Sequence, residues 1–125
     1  MRRLFFSLLL FSLSAASALA QDPVQVDPDH YQVVLENDQV RVLRITYGPQ
    51  EKSVMHDHPS GVVVYLTDQH ARFSTPDGKR QEVHGKAGEA AWHPGGKHLP
   101  ENISDKPLEA ILVEIKPKAE KAHAH

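Results

Sequence analysis

The stretch SVMHDHPSGVVVYL, residues 53–66, decides the fold. It sets His56 and His58 one residue apart at the mouth of an apolar run. In an extended chain, residues two apart point to the same side. A strand here therefore turns His56 and His58 to one face and Asp57 to the other. Outward from this stretch the sequence divides into short β-type runs separated by turn residues. YQVVLEN, from Tyr31, ends in a turn at Asn37–Asp38, and QVRVLRITY is stopped by Gly48–Pro49. HARFST and RQEVHG are joined by PDGK, whose Asp77–Gly78 is the strongest short hairpin signal in the chain. EAAWH, the turn PGGK, HLPENIS and a long final run LEAILVEIK follow. No segment sustains a helical period over three turns. Such spacing predicts an all-β sandwich or barrel. GVVVYL and EAILVEI are apolar at adjacent positions, which predicts strands covered on both faces, one cover being a second subunit; a homodimer is the expectation.

The ends of the chain read differently. Residues 1–20, MRRLFFSLLLFSLSAASALA, carry a basic start at Arg2 and Arg3, an apolar stretch from Leu4 to Leu13, and small residues at Ala18 and Ala20. That is the pattern of a secretory signal peptide, its apolar part too short to cross a bilayer. The expected location is periplasmic or secreted, with no membrane anchor once the signal is cleaved. Residues 21–30, with two prolines and no sustained period, read as an extended N-terminal lead-in. Residues 31–117 form the folded domain, and the polar residues 118–125 a frayed tail. Cleavage leaves about 105 residues, one small domain, and loss of two arginines takes the formal charge from −2 to −4. That balance gives no reason to expect nucleic acid or an anionic membrane as partner. With no Cys, export adds no disulfide, so stability rests on the core, a metal or a partner subunit.

The chain has nine histidines, at 30, 56, 58, 70, 84, 93, 98, 123 and 125. His30, His70 and His84 lie in the lead-in or beside turns and read as surface residues; His123 and His125 lie on the tail. His56 and His58 differ because of GEAAWHPGGKHLPEN, residues 88–102, which places Gly88, Pro94, Gly96, His98 and Asn102 on a strand–turn–strand unit. Together with HDHP, this resembles the two sequence motifs of the cupin superfamily. Five residues separate Gly88 from Pro94, Pro94–Gly95–Gly96 supplies Pro-x-Gly, and three residues separate His98 from Asn102, as the second motif asks. The resemblance spans Tyr31 to Lys116 and implies a double-stranded β-helix, or jelly-roll barrel.

Three departures matter. Seven residues separate Gly48 from His56 where five are usual, and one separates Gly96 from His98 where two are usual. The Glu of the first motif falls at 62 or 63, and both are Val. The resemblance therefore implies the three-histidine variant, similar to thiol and β-diketone dioxygenases, with His56, His58 and His98 holding one divalent transition metal. Iron(II) is favoured there, with Zn, Cu, Ni or Mn as the other candidates. Imidazole suits these softer cations, while carboxylates suit Mg and Ca. Losing the Glu leaves the full dipositive charge, which favours an anionic, chelating small-molecule substrate, with open positions for it and for oxygen.

Around these ligands the roles stay open. His93 is a fourth nitrogen, a hydrogen-bond partner of the site, or a solvent-facing strand end, the last being the plainer reading. Glu89, Glu101 and Asp57 are the carboxylates nearby in sequence that replace the missing Glu or are surface charges. Tyr47, Tyr65 and Trp92 read as core or wall, and Arg44 and Arg72 as outward-facing. The functional expectation is an exported metal-dependent enzyme on a small molecule, a dioxygenase first. Its rivals are metal-assisted lyase or isomerase chemistry, a non-catalytic binding protein for a metal or small ligand, and a fold whose histidines merely line a pocket.

Overall fold

A computed structural model describes residues 21–118. The signal-peptide reading of residues 1–20 and most of the tail lie outside the described residues. Within them the chain forms β1 (Tyr31–Glu36), β2 (Val40–Tyr47), β3 (His56–His58), β4 (Gly61–Tyr65), β5 (Gln69–Ser74), β6 (Arg80–Gly85), β7 (Ala90–His93), β8 (Gly96–Asn102) and β9 (Leu108–Ile115). Local chemistry sets the turns. The Asn37 side chain accepts hydrogen bonds from the Gln39 and Val40 amides and closes β1 onto β2. Gly78, at φ +84°, supplies the left-handed residue of the PDGK hairpin.

The pairing is nested and antiparallel: β5 with β6, β4 with β7, β3 with β8, and β2 with β9. The chain is thus one long hairpin whose tip is the turn at 75–79. Rolling it up adds the pairs β5–β8 and β4–β9 and gives two sheets, ordered β1-β2-β9-β4-β7 and β3-β8-β5-β6. This is the jelly-roll, double-stranded β-helix architecture that the motifs imply. Rolling removes most strand edges from solvent, which is how all-β folds avoid open-edge pairing.

Tyr31, Leu43, Tyr47, Leu108 and Leu112 from the larger sheet meet Ala71 from the smaller one in the core, with Ile45, Val63 and Phe73 packed around them. β9 buries Leu108, Ala110, Leu112 and Glu114 and leaves the residues between them half-buried. Within the single chain it therefore alternates between buried and half-buried positions. Trp92 departs from expectation: at 62% exposed it is no wall residue.

Three further expectations need correction. The lead-in is not extended throughout, because Pro23–Val26 forms a short helix, α1, capped by the Asp22 side chain on the Val24 amide. Proline at the first helical position loses no hydrogen bond there, so its presence is compatible with a helix start. In the stretch SVMHDH only His56–His58 is strand. His30, read as a surface residue, instead stacks on Tyr47 with ring centroids 4.3 Å apart and bonds Asp27 and Glu51. Burial works against its charged form, but the hydrogen bonds to Glu51 and Asp27 outweigh this and raise its pKa.

Candidate metal centre

Strand register brings the two histidine motifs together. β3 and β8 pair with His56 opposite His98, Asp57 opposite Lys97 and His58 opposite Gly96. Directly opposed residues on an antiparallel pair share a face, so the three imidazoles point inward together and Asp57 points out with Lys97. One ligand nitrogen from each of His56, His58 and His98 lies within 4.8 Å of the others. The Nε2 atoms of His56 and His98 are 3.1 Å apart. Neighbouring ligands on a tetrahedral metal at about 2.0–2.1 Å would stand at about 3.3 Å, so this spacing fits a shared ion.

The outward nitrogens fix how the rings present themselves. His56 Nδ1 donates to the Val54 carbonyl at 2.8 Å. His58 Nδ1 donates to Glu114 Oε2, also at 2.8 Å. An imidazole whose Nδ1 donates in this way can, when neutral, offer its Nε2 lone pair to a metal. Burial and the neighbouring His58 push the pKa of His56 down to about 4. Burial, with His58, His56 and His93 around it, pushes His98 down to about 2. Both rings are therefore neutral at physiological pH, the state a metal ligand needs.

Glu114 answers the question of the missing carboxylate. It stands on β9, and its other oxygen accepts from Arg41 Nε at 2.6 Å. Arg41 in turn meets Asp22 beside α1 at 2.7 Å. Glu114 is 1% exposed; burial raises its pKa, but hydrogen bonds from His58 and Arg41 and the Arg41 charge hold it below the usual range. The carboxylate thus holds His58 from behind rather than joining the histidine cluster, and Arg41 balances its charge. Glu89, Glu101 and Asp57 take no part: Glu89 caps the Lys86 amide, Glu101 faces Arg72, and Asp57 faces outward. The signal that marks Glu114 in the sequence is its parity: in LEAILVEI it shares the inward phase of Leu108, Ala110 and Leu112.

His93 lies beside the cluster and is not a plain solvent-facing end. Its ring centroid is 5.0 Å from that of His98 and 5.5 Å from that of His58. Its Nδ1 accepts the Gly95 amide hydrogen at 3.0 Å, which leaves the proton of the neutral ring on Nε2. Burial and His58 lower its pKa. His93 and His98 are half-buried where His56 and His58 are buried, so they form the solvent side of the site. Two aromatic rings pack against the cluster. Phe73 stacks on His98 at 5.0 Å, and Tyr31 meets the His56 ring at 4.9 Å. Tyr31 is held by Tyr47, hydroxyl to hydroxyl at 2.5 Å. Arg44 and Arg72 pair outward with Glu109 and Glu101, as expected for outward residues.

No protein-family model matches the sequence, and no curated protein does. Among solved structures, a cupin domain from Bordetella pertussis is 27% identical, with 70% of this chain and 92% of that chain covered at a TM-score of 0.65. An RmlC-like cupin with a double-stranded β-helix fold from Methanocaldococcus jannaschii is 17% identical over 68% and 77% of the two chains, with a TM-score of 0.56. The polyketide cyclase RemF from Streptomyces resistomycificus is 18% identical over 68% and 63%, with a TM-score of 0.52. The nested strands and these likenesses agree on a cupin fold in a single small domain, and His56, His58 and His98 lie close together, consistent with a three-histidine motif.

Proposed function

We propose that this cupin is an exported metal-dependent enzyme in which His56, His58 and His98 hold one divalent transition metal, iron(II) first, and act on an anionic, chelating small molecule with oxygen. The observation that carries the reading is the pair of hydrogen bonds on the outward nitrogens of His56 and His58, which leaves their Nε2 lone pairs free beside His98. A bound metal of this kind would supply Lewis acidity and open positions for substrate and oxygen. The chain's own residues do the rest. Glu114 holds His58 in one tautomer, and Arg41 holds Glu114. Tyr31, buried against His56, keeps water from the inner side, and Phe73 fixes the His98 ring by stacking on it. His93, its proton on Nε2, is placed to give or receive a proton at a ligand bound on the solvent side, as general acid–base groups do.

A second reading is favoured by one observation. Glu114, the carboxylate behind the histidine cluster, is fully engaged by His58 and Arg41 and offers the site no free carboxylate base. A non-catalytic protein binding copper, zinc or a chelating ligand needs no such group. Elemental analysis of the untagged protein beside His98→Ala separates the readings from each other and from a metal-free pocket. Iron that the substitution removes, with oxygen uptake on thiols or β-diketones, supports the dioxygenase. Stoichiometric zinc or copper without oxygen uptake supports the binding protein or a lyase. Little metal in both samples after anaerobic reconstitution rejects the metal centre.

A further inference from the structure

The smaller sheet carries a second histidine cluster on its other face. In β5, Gln69 and Ala71 are buried, so His70 and Arg72 project outward. β6 pairs with β5 with His84 opposite His70 and Glu82 opposite Arg72. The imidazoles of His70 and His84 stack with centroids 4.3 Å apart. Glu82 Oε2 lies 3.4 Å from His70 Nε2 and 3.7 Å from His84 Nε2. These are close to the edge of a tetrahedron of ligands, about 3.3 Å for bonds of about 2.0–2.1 Å. One ligand atom from each of the three residues lies within 4.8 Å of the others.

From this geometry we propose that His70, Glu82 and His84 form a second divalent-metal site, open to solvent and separate from the inner cluster. Two imidazoles and one carboxylate select borderline cations such as zinc or copper(II) over calcium and magnesium, which prefer all-oxygen sites. The carboxylate is oriented from behind. Glu82 Oε1 is 3.9 Å from Arg72 Nη2, and Arg72 Nη1 is 3.7 Å from Glu101. Arg72 thus occupies one oxygen and leaves the other between the imidazoles. β6 is the last strand of its sheet, so water or a donor from a second molecule can complete the coordination. The side chains of His70, Glu82 and His84 are 40%, 52% and 68% exposed, so metal-free folding does not depend on them. Binding is weaker than at an enclosed site, because the ligands must give up rotamer freedom to hold the ion.

The test uses the full chain carrying His98→Ala, so that its result is independent of the inner site, and follows the imidazole NMR signals during a zinc titration. The expected result is that His70 and His84 signals shift together and saturate, and that His84→Ala abolishes the His70 response with an unchanged metal-free melting temperature. A Glu82→Gln variant should need more zinc for the same shift. The proposal is overturned by a His70 signal that stays still under zinc, or that moves equally in the His84→Ala protein. His123 and His125 give signals of their own, so a zinc response confined to them while His70 and His84 stay still overturns the proposal too.

Discussion

Glu114 Oε2 lies 2.8 Å from His58 Nδ1, and the two residues are 56 positions apart in the chain. The contact joins the last strand to the first histidine motif and gives the candidate metal centre the carboxylate that its own motif lacks.

Removing that carboxylate should cost the metal more than it costs the fold. Glu114→Gln keeps an acceptor for His58 but drops the charge, and loss of such a ligand-orienting partner weakens metal binding about 10–100-fold. Glu114→Ala should be worse for stability, because it leaves Arg41 without its buried partner, a loss of about 3 kcal/mol for a broken buried ion pair. Competition titration with a chelating dye measures the first effect, and urea unfolding the second. Unchanged metal affinity in Glu114→Gln would remove Glu114 from the site.

His98 and His93 should separate binding from turnover. His98→Ala is expected to lose the metal while the protein stays folded, since the ring is only half-buried. His93→Gln should retain the metal but lower any turnover about 100-fold, the usual size of an acid–base contribution. Metal analysis and oxygen uptake on the same two proteins check both halves. Equal loss of metal from each would make His93 a fourth ligand.

The metal-free protein should lose stability in mild acid. The pKa of His56 is pushed down to about 4 in the fold, against an ordinary value of 6.5 when unfolded. Between those values the unfolded chain binds a proton that the native state refuses, so stability is full above pH 6.5 and falls as pH drops toward 4. The slope is at most about 1.4 kcal/mol per pH unit for each such histidine. His98, also depressed, adds in the same direction. Melting temperatures between pH 7 and 4 measure this, and His56→Gln should flatten the decline.

Gly95 holds the second motif against the first. It sits at φ +84°, and a Cβ there would stand 2.9 Å from the His58 carbonyl oxygen and the Ser60 nitrogen, both backbone atoms. Gly95→Ala therefore combines left-handed strain of about 1 kcal/mol with a push on the strand that carries His58. A lowered unfolding midpoint together with weaker metal binding is expected. A midpoint equal to that of the parent would show that the turn relaxes freely.

Much of this molecule was legible in the sequence, because the signals are local. Alternation over a few residues and the Asn37 and Asp77–Gly78 turns mark the strands, and His-x-His on an extended segment puts two imidazoles on one face. The short helix at Pro23–Val26 escaped because four residues carry no period. Trp92, read as a core or wall residue, lies exposed because it alternates with His93, which turns toward the histidine cluster.

What the amino-acid order determined by itself, then, is which segments extend, where they turn, and that His56 and His58 share one face. Only the rolled-up hairpin decided that His98 lies opposite His56, that His93 stands beside them, and that Arg41, 73 positions away, holds Glu114. The physical reason is that alternation fixes the side of a strand on which a residue lies. Register between strands that are distant in sequence depends on the packing of the whole barrel.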